Sequence, residues 1–152
     1  MKAKIFVLLG VLVALSGCAQ RRDVDLEFQR FADVQYSVDG AKLIINSNLI
    51  FDTDRKKLRP EAVKILRSLY RQVSEEYFTK VHISAHCDNS ITERSAAEIT
   101  DYQAQVVAGY FWFRGISSSE IELEGAGFSF PVAEMDTPQG VFINQRIEIL
   151  LT

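Results

Sequence analysis

Between Val81 and Phe111 the hydrophobic repeat changes length, and that change limits the folds open to this chain. Val81, Ile83 and Ala85 alternate with His82, Ser84 and His86, the period of a strand with one apolar face. Cys87-Asp88-Asn89-Ser90 ends the strand, a polar loop runs through Ser95, and Ile99, Val106, Val107, Tyr110 and Phe111 then recur at helical spacing up to a stop at Gly115. Asp88 therefore stands at a strand end, and Gln103, fifteen residues on, lies on the first turns of a helix packing back beside it. A polar group at the C-terminal end of a strand, facing the next helix, is a frequent site position in α/β architectures.

The flanking sequence supplies the rest of the sheet. Lys42 to Phe51 reads as the first strand, with Leu43, Ile45, Leu49 and Phe51 inward. Asp52-Thr53-Asp54 ends it, and Pro60 suits the first turn of a helix whose stripe is Ala62, Ile65, Leu66, Leu69, Tyr70 and Val73. A crossover helix of this kind places its two strands parallel, or as neighbours across a gap. Glu120 to Glu124 alternates as a strand broken by Gly125-Ala126-Gly127, Phe128 to Gly140 reads as a loop, and Gln145 to Leu151 as the last strand. The order is β-α-β-α-β-β. Two helices cannot cover both faces of a sheet, so the fold class expected is α/β, a two-layer sandwich.

The first residues carry an address rather than a fold. Lys2 and Lys4 precede an apolar run of about eleven residues, Ile5 to Leu15, too short to span a bilayer of roughly 30 Å comfortably. Leu15-Ser16-Gly17-Cys18 then resembles the bacterial lipoprotein cleavage box, which implies a signal peptide over residues 1–18 and acylation of Cys18. Each buried methylene contributes about 0.8 kcal/mol, so several acyl chains would hold the protein on a membrane. Ala19 after the cysteine, rather than Asp, implies the periplasmic face of the outer membrane. Residues 19–39 are polar and mixed in charge, a tether with room to lift a domain at 40–152 off the lipid. Loss of Lys2 and Lys4 leaves 15 basic against 20 acidic residues, a net charge near −5, which argues against a nucleic-acid partner. With Cys18 acylated, Cys87 has no thiol to pair with and reads as a small core residue.

Catalysis and metal binding find little support. His82 and His86 share a strand face but stand roughly 13 Å apart at about 3.3 Å per residue, too far for one zinc ion. His86 and Cys87 point to opposite faces, and no third group orients them as a nucleophile pair. Asp52 and Asp88 both sit at strand ends, but nothing in the sequence raises the pKa of either. The reading is a non-enzyme without metal or cofactor.

Recognition by fixed polar groups remains, and here a family resemblance enters. Leu49-Ile50-Phe51-Asp52 with Leu58-Arg59-Pro60-Glu61, His86-Cys87-Asp88, the helix from Ile99 to Val107, Gly115-Ile116, Glu124-Gly125-Ala126-Gly127 with Pro131, and Asn144-Gln145-Arg146-Ile147-Glu148-Ile149 together resemble the OmpA-like C-terminal domain, over residues 42 to 151. The lipidated start resembles the peptidoglycan-associated lipoprotein type. The resemblance implies a site for the diaminopimelate of peptidoglycan, gripped by an aspartate at Asp88 and an arginine on the following helix. The arginine position is Gln103 here, and the first arginine of the last motif is Gln145, while Arg146 keeps the second. The site implied is therefore degenerate: Asp88, Gln103, Asp52 and Arg146.

A carboxamide offers about half the strength of a guanidinium's charge-assisted bond, and losing on the order of 2 kcal/mol weakens binding roughly thirtyfold. Arg94, in the loop between Asp88 and the helix, is a candidate substitute cation, but a solvated loop arginine is the favoured reading of it. Gln103→Arg is the change expected to restore affinity. The function implied is a structural module of the cell envelope with weak or lost peptidoglycan binding, joined to envelope proteins of a larger complex; a type IVB (Dot/Icm) secretion system is one such machine. The alternative is a working tether between outer membrane and cell wall. Phe111-Trp112-Phe113 cannot all face one core from a helix: either Trp112 and Phe113 form a protein interface, or the loop from Phe128 to Met135 buries the helix end all round, and the two readings weigh equally.

Overall fold

A computed structural model describes residues 28–38 and 40–152. The expected leader, Cys18 and most of the tether lie outside those residues. The described chain forms β1 (Ala32–Ser37), β2 (Gly40–Asn46), α1 (Ala62–Ser74), β3 (Val81–His86), α2 (Glu93–Phe113), β4 (Ile121–Gly127), α3 (Pro138–Asn144) and β5 (Arg146–Leu151). One five-stranded sheet runs β1-β2-β5-β3-β4, antiparallel at every pairing except β3 with β4. The last strand thus sits at the centre and fills the gap between the two strands that the α1 crossover joins.

The register puts Leu43, Ile149 and Ile83 side by side on one face, with Ala41, Leu151 and Val81 one step along and Ile45, Ile147 and Ala85 on the other side. Against this face pack the stripes predicted for the two helices: Ala62, Leu66, Leu69 and Val73 from α1, and Ala104, Val107, Ala108 and Phe111 from α2. Full burial of each large aliphatic contributes about 1.5–3 kcal/mol, which makes this interface the main source of stability. The two-layer α/β sandwich holds.

Three elements differ from the sequence reading. Residues 32–37 are a strand, not tether: Phe28 is fully buried in the core and β1 pairs with β2 along its length. Its sides are mostly exposed, so it carries no strong alternation to read. The first strand of the reading stops at Asn46 rather than Phe51, because the Asn46 side chain accepts from the Asn48 amide and caps a short 3-10 turn, Ser47–Leu49. Within the expected loop, Thr137 accepts from the Gly140 amide and starts α3 with Pro138 behind it. The helix α2 also begins earlier than its apolar stripe, at the Thr92 cap, whose hydroxyl accepts from the Ser95 amide.

Strand β4 continues through its glycines. A Cβ on Gly125 would lie 2.4 Å from the Asp101 amide nitrogen, so glycine is what lets β4 and α2 approach. One residue earlier on α2, the buried Thr100 hydroxyl donates to Ala96 O (2.8 Å) and accepts from Gly127 N (3.0 Å). These contacts hold the start of α2 against the strand ends where Asp88 lies.

Candidate ligand site

Asp88 follows β3 directly and is completely buried. Its Oδ1 accepts from the Ser90 amide at 2.8 Å, an Asx turn that closes the strand end on itself. Its Oδ2 accepts from Gln145 Nε2, at the junction of α3 and β5, and pairs with Arg55 Nη2 at 3.0 Å. Burial pushes the Asp88 carboxyl up, but the hydrogen bonds from Ser90 and Gln145 and the Arg55 charge outweigh it and hold the group below its ordinary range. Asp88 is a carboxylate at neutral pH.

The cation beside it was not among the residues singled out in the sequence. Arg55 stands in the turn Asp52–Lys57, where the Arg55 amide donates to Asp52 O and the Asp52 amide to Lys57 O, both at 2.9 Å. Asp52 shapes this turn further through its side chain, which accepts from the Asp54 amide at 3.1 Å. Arg55 adopts a left-handed backbone, φ 60°, the one non-glycine residue to do so among those described. That conformation turns its side chain inward, and Nη2 also donates to the Ser90 hydroxyl at 3.0 Å.

Gln103 is buried on α2 and meets the same turn from the other side: its Nε2 donates to the Arg55 carbonyl at 2.9 Å. Thus Gln103 holds the backbone of the arginine that reaches Asp88. Two polar atoms here are buried without a partner, Gln103 Oε1 and Arg55 Nη1. Each costs about 1–3 kcal/mol if left dry.

Arg94 is the solvated arginine the sequence favours, though on the first turn of α2 rather than in the loop: it pairs with Glu98 at 3.0 Å and is 90% exposed along its side chain. The cation that stands beside Asp88 is Arg55. Arg146 does not bond Asp88 either. It lies among the polar groups on the sheet's other face, with Nε on Glu148 (2.7 Å) and Nη2 on the Phe130 carbonyl (3.1 Å). Lys42 completes that pair network at Glu148. His86, beside it, is pushed down to about 4 by burial and the Arg146 charge, so its imidazole is neutral at pH 7.

Burial pushes the Cys87 thiol up to about 11, which leaves it a protonated core group rather than a nucleophile. Among the described residues no three His, Cys, Asp or Glu side chains are grouped to hold a metal ion, and no helix is long and apolar enough to cross a membrane. At the far end of α2, Phe111 is buried against Tyr70, whereas Trp112 and Phe113 are 65% and 79% exposed. A shallow apolar surface of Ala108, Trp112, Ile121 and Leu123 joins them.

A sheet entered by a β-α-β crossover, with an aspartate after β3 and its partners in the turn before α1 and just before β5, has relatives. The OmpA family model matches residues 50–145. The chain belongs to the OmpA family. An outer-membrane lipoprotein of Pseudomonas aeruginosa, YfiB, is 25% identical over 95% of this chain and 89% of its own length. The peptidoglycan-binding protein ArfA of Mycobacterium tuberculosis is 27% identical over 79% of this chain but only 36% of its own. Among solved structures, the cell wall anchor of the T6SS from Pseudomonas aeruginosa superposes with TM-score 0.73 at 22% identity, covering 81% of this chain and 88% of that one. The peptidoglycan-associated lipoprotein of Burkholderia pseudomallei gives 0.57 at 16%, over 68% and 88%. These two likenesses concern the fold alone.

Proposed function

We propose that this OmpA-family chain is a non-catalytic outer-membrane lipoprotein, anchored through acylated Cys18, whose domain serves as a structural module of the envelope and binds peptidoglycan weakly or not at all. The observation that carries this reading is the state of Asp88. The family's anionic grip is fully buried, and both its oxygens are taken by Arg55, Gln145 and Ser90 of the same chain. The helix beside it offers the neutral Gln103 where the resemblance implies an arginine. Exposed Trp112 and Phe113 supply a surface for neighbouring envelope proteins, in a complex of the secretion type such as a type IVB apparatus.

The test is retention on purified sacculi together with co-purification from detergent-extracted envelopes. The chain is expected to wash off sacculi and to carry partner proteins that are lost in Trp112→Ser/Phe113→Ser. The second reading, a tether between outer membrane and wall, draws on the peptidoglycan-binding and wall-anchoring relatives and on the retention of Asp88. Firm retention on sacculi that disappears in Asp88→Ala would replace the first reading with the second.

A further inference from the structure

We propose that Arg55 is a tethered competitor for its own site: the chain supplies the cation that a ligand's ammonium group would otherwise provide to Asp88, and so keeps the site closed. The inference rests on the reading of this domain as one that does not grip the wall, and names the device responsible. Four observations converge on it.

The first is chemical. A buried carboxylate is an acceptor-only site, and what it takes is a positively charged group with N–H donors, whether a guanidinium from within or a primary ammonium from a ligand. Arg55 Nη2 already stands there, 3.0 Å from Oδ2. The second concerns access: Asp88 has no exposed surface while 18% of the Arg55 side chain reaches solvent, so an incoming ammonium gains the carboxylate only when a covering group moves.

The third observation separates a lock from a grip. An arginine that clasps a ligand carboxylate needs donors turned to the ligand. Here Nη2 is divided between Asp88 and the Ser90 hydroxyl, and Nη1 is buried without a partner. Nη2 is engaged inward, and Nη1 has no exposed surface from which to reach a ligand. The fourth is how the residue is held. Its left-handed backbone is unfavourable for a side chain with a Cβ, yet Gln103 takes its carbonyl and Asp52 its amide, so the turn is clamped from both sides. The unpartnered Gln103 Oε1 and Arg55 Nη1 sit in the same clamp, and both would gain water if the turn lifted.

The lock can be opened without touching the carboxylate. The mature lipoprotein in detergent is titrated with free diaminopimelate at pH 7 by calorimetry, as wild type, Arg55→Ser and Arg55→Gly, and as each of these combined with Asp88→Asn. Glycine suits the left-handed turn, so Arg55→Gly keeps the test alive should the serine variant fold poorly; circular dichroism and thermal melting check both. The expected result is at least tenfold tighter binding in the Arg55 variants than in wild type, lost again when Asp88→Asn is added.

Folded Arg55 variants that bind no tighter than wild type overturn the lock, as does binding by wild type that weakens without Arg55, which would make Arg55 a grip. Sacculus retention of the wild type judges the parent reading separately. A chain that washes off sacculi and gains nothing from Arg55→Gly leaves that reading standing and removes the lock alone.

Discussion

The strength of the Asp88–Arg55 pair decides how firmly the site is shut, and it can be worked out before it is measured. With Nη2 and Oδ2 at 3.0 Å, the charge centres are about 4 Å apart, worth about 4 kcal/mol at an effective dielectric near 20. Desolvation offsets part of this: the Asp88 side chain is wholly buried and the Arg55 side chain 18% exposed. A net coupling of about 2 kcal/mol is expected. Asp88→Asn strands a mostly buried guanidinium and should cost about 3 kcal/mol; Arg55→Ser, which keeps the left-handed backbone and its Cβ, should cost about 2.

The double variant should then be about as stable as Asp88→Asn alone, which is the signature of one shared interaction. Urea unfolding of the four proteins at pH 7, in 0.1 M and 1 M salt, measures the cycle. Salt should change the coupling little, because the pair is screened poorly by ions it does not meet. A coupling below about 0.5 kcal/mol, or one that vanishes in 1 M salt, would refute the reasoning. At about 2 kcal/mol the pair imposes a roughly thirtyfold penalty on any cation competing for Asp88.

Stability should fall with pH in two overlapping stages. His86 is held near 4 against an ordinary 6.5, so the unfolded chain takes up the proton first; stability is full above about pH 6.5 and declines toward pH 4, by about 2–3 kcal/mol from this group. Asp88 and Glu148, both held below their ordinary values, add a further loss through the carboxylate range. Chemical denaturation against pH should show the upper stage flattened in His86→Gln.

Asn144, completely buried at the end of α3, accepts from the Val132 and Ala133 amides and donates to Ala133 O. Asn144→Ala should cost about 3 kcal/mol in denaturant unfolding, and Asn144→Asp about half that at pH 7, since the acceptor survives. Gln103→Arg, the restoring change the sequence suggests, should not raise affinity for diaminopimelate in titration while Arg55 is present, because it sets a second guanidinium against the first and gives up the bond to its carbonyl.

What could be read from the sequence, and what could not, divides along a physical line. The stripes of α1 and α2 and the alternation of β3 were readable because burial on one face imposes a period. Strand β1 was not, since an edge strand with both sides largely wet has no such period to impose. Asp88 was placed correctly at its strand end by the same alternation. Its counter-ion was missed because Arg55 lies 33 positions earlier, in a turn whose only mark is Asp52-Thr53-Asp54, and no local pattern announces that an arginine will adopt a left-handed backbone and point inward. Gln103 was read as a vacancy, whereas its carboxamide donates to the Arg55 carbonyl and holds that turn.

The position of β5 bears on how such a chain compacts. The residues that join the two halves of the sheet, Arg146–Leu151, come after every other strand of the sheet in chain order. Until they arrive, Leu43 and Ile83 have no strand between them and the apolar sides of both helices lack a continuous floor. Neither half of the sheet can therefore close its core alone, and the insertion of β5 completes the sheet and the floor under both helices together.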